Sequence, residues 1–168
     1  MKDLGRTKFC LGLQIEYFNK GVFVHQEAYI TKVLKKFYMD KSHSLCTPMV
    51  VRSLDVIGAL MYLANYTRPD IAFAVNLLAR YSSSPTRRHW NGVKQILHYL
   101  KGTMNMGLFY PNDSKLDLMG YANVGYLSDP HNGRSQKGYL FTCGGTTISW
   151  QSVKQTITAK SCRNFSIT

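Results

Sequence analysis

The sequence predicts an α+β protein with strands at both ends and helices between them. Three observations predict it. β-Branched and aromatic residues alternate with polar ones in short runs over residues 8–25 and 104–150. Apolar residues recur at three and four positions over residues 26–39 and 55–101. Gly, Pro, Asn and Ser gather where one pattern gives way to the next. The 168 residues are enough for one domain or two small ones. A hydrophobic content of 45%, with 12% aromatic residues, marks a globular chain.

Lys8–Phe18 reads as a strand, Asn19-Lys20-Gly21 as a tight turn and Val22–His25 as the returning strand. Gln26–Met39 reads as a helix: Tyr29, Val33 and Phe37 fall on one face with Ile30 and Leu34 beside them, and Lys32, Lys35 and Lys36 occupy the remainder. Lys41–Ser53, with its Ser, His and Pro48, is a linker. Asp55–Tyr66 is the next helix, with Ile57, Leu60, Met61 and Ala64 on one face. Thr67-Arg68-Pro69-Asp70 stops it and starts another, Thr67 as N-cap and Pro69 in the first turn. Ile71, Ala74, Val75, Leu77, Leu78 and Tyr81 form that helix's apolar face. After Ser82–Pro85, Thr86 caps a third helix along which Trp90, Val93, Leu97 and Leu100 recur, and Gly102 ends it. Three amphipathic helices of this kind pack as a small bundle.

Met104–Tyr110 opens the last region as a strand. Leu116–Tyr121, Gly138–Thr142 and Thr146–Trp150 follow, the last two joined by Gly144-Gly145. Ile157-Thr158-Ala159 leads into a helix at Ser161. The resulting division is 1–53, 54–103 and 104–168.

The chain carries 21 basic against 9 acidic residues, a net charge of +12. Such an excess favours a polyanionic partner, RNA or DNA first and an anionic membrane surface second. Arg87, Arg88, Lys94 and Lys101 on the third helix, with Arg134 and Lys137 near the last strands, are the candidate contacts. No apolar run approaches the ~20 residues of a membrane span. The apolar part of Met1–Phe18 is short and stops at Glu16, so it makes a poor secretory leader. Cys10, Cys46, Cys143 and Cys162 lack CxxC spacing and read as reduced, mostly buried thiols. His25, His43, His89, His98 and His131 are scattered, none in HExxH spacing. Ser135 and Ser149 lack a GxSxG motif, and Gly144-Gly145 is too short for a phosphate loop.

Several runs resemble the end of Ty1/copia-type retrotransposon Pol polyproteins. Met1-Lys2-Asp3-Leu4-Gly5 and Phe9-Cys10-Leu11-Gly12-Leu13 resemble the end of that family's reverse transcriptase palm. Leu60-Met61-Tyr62-Leu63, Thr67-Arg68-Pro69-Asp70-Ile71 and His98-Tyr99-Leu100-Lys101-Gly102-Thr103 match its thumb and connection nearly letter for letter. Gly120-Tyr121-Ala122-Asn123, Arg134-Ser135-Gln136-Lys137-Gly138-Tyr139 and Ile148-Ser149-Trp150-Gln151-Ser152 match its ribonuclease H scaffold. The resemblance implies a primer-grip-like hairpin, a thumb, and an incomplete ribonuclease H-like mixed sheet.

It also implies where chemistry should lie. The family's catalytic Asp falls on Asn123 and its Glu on Asn164. That hydrolysis uses two Mg2+ ions about 4 Å apart, and Mg2+ prefers carboxylates, phosphate oxygens and water. Asn offers a neutral carbonyl. Asp113, Asp117 and Asp129 lie nearby, the first and last in turns, and no Asp or Glu follows Asp129. The Tyr-x-Asp-Asp polymerase motif is nowhere in the chain. The expectation is therefore a degenerate, non-catalytic remnant, without a bound metal and intracellular if expressed, with at most weak non-specific nucleic-acid binding. Chains of this kind also resemble secreted RxLR-type effectors of downy mildews, which implies secretion into a plant host, host plant proteins as partners and modulation of host cell death. The nearest motif here, Arg52-Ser53-Leu54-Asp55, lacks the final Arg.

Overall fold

A computed structural model of the chain describes residues 5–37, 39, 53–112, 117–124, 136–155 and 163–167. The predicted linker at 41–52, Arg134, Asp113 and Asp129 lie outside the described residues. The class is α+β, as expected, built from two antiparallel sheets and four α-helices among those residues.

The first sheet has the order β1-β2-β3-β4. The run expected as one strand, Lys8–Phe18, is two: β1 (Phe9–Cys10) and β2 (Leu13–Phe18). Leu11 and Gly12 turn between them with φ of 49° and 77°. Two consecutive positive φ values are the geometry that matches the twist of a two-residue hairpin, and a glycine in the second position tolerates it. Tyr62 donates its hydroxyl hydrogen to the Leu11 carbonyl and so fastens the turn to a helix. β3 (Gly21–His25) pairs with β2 after the expected turn.

β4 (Gly107–Pro111) was expected to open the last region. It instead pairs with β3 from Gly21↔Pro111 to His25↔Gly107 and completes the first sheet. The reason is close approach: Gly21 and Gly107 lack the Cβ that would meet the opposite strand's backbone at these two ends of the ladder.

The helices α1 (Glu27–Lys36), α2 (Ser53–Tyr66), α3 (Ala72–Ala79) and α4 (Arg87–Gly102) fill the middle. Their apolar faces meet in one core: Ile30, Val33 and Leu34 of α1, Val56, Leu60 and Leu63 of α2, Val75 of α3, and Val93, Leu97 and Leu100 of α4. Thr86 caps α4 as expected. It does so reciprocally: the His89 N–H donates to Thr86 Oγ1 (3.4 Å) and the Thr86 N–H donates to His89 Nδ1 (3.2 Å). Thr67 is not an N-cap. Its hydroxyl donates to Gln26 Oε1 at 2.7 Å. Pro69 keeps Arg68 out of the helical region (φ −126°, ψ 69°), so Arg68 becomes the cap residue of a single 3-10 turn, Pro69–Ile71, that leads into α3.

The second sheet has the order β7-β6-β5-β8, from β5 (Leu118–Val124), β6 (Gln136–Cys143), β7 (Thr146–Lys154) and β8 (Arg163–Ile167). Arg163–Ile167 was expected in a helix and forms a strand. The described pairs are all antiparallel, where a mixed sheet was expected. A parallel connection needs a crossover of a dozen or more residues, and only eight residues separate the end of β7 from the start of β8. This sheet docks by one face on the helices. Trp150 Nε1 donates to the Ala64 carbonyl at 2.7 Å, and Gln136 Nε2 donates to the Phe73 carbonyl at 3.4 Å. The two sheets meet where Tyr110 donates its hydroxyl to the Thr147 carbonyl at 3.4 Å. Of the thiols expected to be mostly buried, Cys10 is exposed and Cys143 half-buried.

The Leu11-Gly12 turn gives a direct test. A Cβ on Gly12 would sit 2.8 Å from the Tyr62 hydroxyl, at a φ that L-residues resist. Gly12→Ala should lower unfolding stability by about 1–2 kcal/mol, and Tyr62→Phe by about 1 kcal/mol. Urea denaturation reads both; unchanged midpoints would refute the docked turn.

Candidate nucleic-acid interface

The two positions that the resemblance assigns to catalytic acids come together. Asn123 of β5 and Asn164 of β8 are direct partners in the antiparallel ladder, and Asn123 is exposed. The register does what a two-residue metal platform would need, but the side chains at these positions are neutral amides. Asp117 is exposed and precedes β5. Among the described residues no three His, Cys, Asp or Glu side chains gather where an ion would be held. Among the described residues the donor set does not fit a pair of divalent ions, whose charge needs several carboxylates.

The basic candidates fall in two places. Arg87, Lys94 and Lys101 stand seven residues apart on α4, two turns per step, so they share the helix's solvent side over about 21 Å. Arg88 is rotated about 100° from this line. Arg87, Arg88 and Lys101 are exposed and Lys94 half-exposed; Lys101 Nζ also donates to the Met39 carbonyl at 3.3 Å. Lys137 is exposed on β6 of the second sheet.

The two runs that match their family most closely turn out to hold each other. Arg68 is 1% exposed. Its Nε and Nη2 donate to both carboxylate oxygens of Asp70 (3.0 and 2.7 Å). Nη1 donates to the Thr103 carbonyl at 2.9 Å and Nη2 to Thr103 Oγ1 at 2.7 Å. Tyr99 donates its hydroxyl to Asp70 Oδ2 at 2.9 Å, and its ring lies 5.5 Å from the guanidinium. Burial raises the Asp70 carboxyl, but the hydrogen bonds from Arg68 and Tyr99 outweigh it and hold the group below the ordinary carboxylate range. The sequence reading missed this cluster. Its signal is an Arg before a Pro with an Asp two residues on, a pattern that by itself marks only a helix boundary.

No family model and no solved structure matches the chain. Among curated proteins it is 35% identical to the retrovirus-related Pol polyprotein from transposon TNT 1-94 of Nicotiana tabacum, over 96% of this chain and 14% of that polyprotein. It is 30% identical to the uncharacterized mitochondrial protein AtMg00810 of Arabidopsis thaliana, over 96% of this chain and 73% of that one. It is 40% identical to the secreted RxLR effector protein 161 of Plasmopara viticola, over 64% of this chain and 76% of that one. These matches make it a retrotransposon-derived sequence. More narrowly, the chain belongs to the Ty1/copia-type retrotransposon Pol family. No helix among the described residues is long and apolar enough to cross a membrane.

The buried ion pair predicts an acid-sensitive fold. With the folded Asp70 depressed below its unfolded value near 4, its stabilisation is complete above that value and is lost as pH falls through the lower, folded one. Asp70→Asn should flatten the acid limb of a stability–pH curve and cost about 3–5 kcal/mol at neutral pH, because Arg68 is left buried without its counter-charge. An unchanged acid limb would refute the coupling.

Proposed function

We propose that this chain is a non-catalytic remnant of a copia-type Pol polyprotein that retains weak, sequence-independent nucleic-acid binding. The observation that carries the first half is the Asn123–Asn164 pair, two neutral amides at the positions where the family places its Asp and Glu. Supporting the second half are the net charge of +12 and the line of Arg87, Lys94 and Lys101 on α4. Cations spaced along one helix face neutralise backbone phosphates without reading bases.

Two measurements test it. With about four phosphate contacts, affinity for an RNA–DNA hybrid should fall on the order of a hundredfold across a fourfold rise in salt. Binding that ignores salt, or no binding at low salt, removes the proposal's second half. The purified chain should release no labelled RNA from the hybrid with Mg2+ or Mn2+. Asn123→Asp with Asn164→Glu should remain at background, since no third carboxylate stands beside the pair among the described residues. Chelator-sensitive cleavage by the unaltered chain would overturn the non-catalytic reading.

A second reading rests on the Plasmopara match: an exapted effector, secreted and acting on host plant proteins. Fusing residues 1–25 to a reporter tests it. Export supports this reading, and retention of the reporter removes its delivery route.

A further inference from the structure

The outer face of the second sheet carries a pattern that the α4 reading does not use. Along β6, Lys137, Tyr139 and Phe141 alternate with Gln136, Gly138, Leu140 and Thr142. The second set faces the helices: Gln136 is buried and reaches Phe73, and its neighbours Ser152 and Trp150 on β7 face the same way. The first set therefore points outward.

Among the described residues the positions flanking these rings are small or polar, with Tyr139 exposed and Phe141 half-buried. Tyr139 lies between Ala122 of β5 and Gln151 of β7, and Phe141 between Gly120 and Ser149. Ser149 and Gln151 are exposed and offer hydrogen-bonding groups beside each ring. A Cβ on Gly120 would stand 2.6 Å from the Phe141 ring, so that glycine lets the ring lie across β5. The Tyr139 and Phe141 ring centroids are 5.6 Å apart, tilted by 56°, so each ring presents its own face. Tyr139 is 38% exposed. Strands β5–β8 contain Lys137, Lys154 and Arg163 and no Asp or Glu.

The geometry points to this face as a stacking platform for single-stranded nucleic acid, with Tyr139 and Phe141 each under one base and Lys137 on the adjoining phosphate. The inference rests on the nucleic-acid reading above and deepens it by naming the strandedness of the partner. Four-stranded sheets that bind RNA stack bases on aromatic residues of an inner strand, with a signature that opens Lys/Arg-Gly-Phe/Tyr-Gly/Ala-Phe. Lys137-Gly138-Tyr139-Leu140-Phe141 keeps the basic residue, the glycine and both aromatic positions on an inner strand of a four-stranded sheet, with Leu140, on the opposite face, in place of the small residue. The charge of the strands suits a polyanion. Bases in a duplex are already stacked and offer these rings nothing, which is why the occupant is a single strand. The platform lies on the opposite side of the sheet from Asn123, which shares its face with Gly138.

The experiment is fluorescence anisotropy on the whole chain with three labelled probes: a short single-stranded oligonucleotide, an abasic strand of equal length, and a duplex. The unaltered chain should bind the first more tightly than the second. Tyr139→Leu with Phe141→Leu should weaken single-strand binding about tenfold per ring and leave duplex binding unchanged. Tyr139→Trp should restore stacking where leucine does not. Phe141 also covers a glycine, a structural use in its own right; circular dichroism of each variant separates loss of fold from loss of stacking, and Tyr139→Leu alone carries the test if the double variant unfolds. Replacing Arg87 and Lys94 with Gln should weaken duplex binding while keeping the single-strand preference. If that duplex effect fails and the preference holds, the helix reading falls and the platform stands. Equal affinity for abasic and normal strands overturns the platform. So does a Tyr139→Leu variant that binds like the unaltered chain, a Tyr139→Trp variant that binds no better than leucine, or a ring-dependent affinity for anionic vesicles in place of oligonucleotides.

Discussion

A guanidinium taken out of water costs several kcal/mol unless its donors are met. Arg68 is met on every side: by both oxygens of Asp70, by the carbonyl of Thr103 and by its hydroxyl. These partners come from the turn after α2 and from the C-terminal end of α4, so one side chain closes the helical core across 35 residues of sequence. Tyr99 adds a hydrogen bond to Asp70 and a ring beside the charge. Thr67, next to Arg68, reaches Gln26 at the start of α1. The junction of three helices thus hangs on a short polar run, and apolar packing fills in around it.

That arrangement gives the runs that most resemble the family a structural use. The Thr67–Ile71 and His98–Thr103 runs face each other and serve the fold. Asn123 and Asn164 stand opposite each other on neighbouring strands. They pair through backbone hydrogen bonds that any residue supplies, and Asn123 is exposed. An amide in place of a carboxylate at such a position keeps the shape and removes the charge. Folding and metal chemistry depend on different residues, so one can be lost without the other.

The positive charge is divided between two surfaces with different neighbours. On α4 the cations rise from a helix whose other face is the core, with few aromatic rings among them. On β6 a single lysine aligns with two rings and small or polar side chains. The first surface suits phosphates alone; the second has faces on which bases can stack.

Much of this was legible in the sequence. The α+β class, the helical faces, the Thr86 cap and the three strands of the last region follow from periodicity and from capping chemistry, which act over a few residues. Four features were not legible, each for a reason of distance or direction. The Leu11-Gly12 turn hides inside an apolar run, because a two-residue hairpin leaves no polar gap. β4 has the same composition wherever it pairs, and only the glycines at 21 and 107 and the folded path of α1–α4 bring it to β3. The last strand and its antiparallel direction depend on a return to β5, a partner some 40 residues earlier in the chain, which local propensity does not encode. Arg68 looked like a boundary residue because its partner Thr103 lies at the far end of another helix. By itself the sequence determined most of the elements and the family, since these are local properties of the chain. The tertiary structure alone decided which residues meet, which face of β6 is open, and that the buried charge is satisfied, because those depend on pairings between segments that only folding brings together.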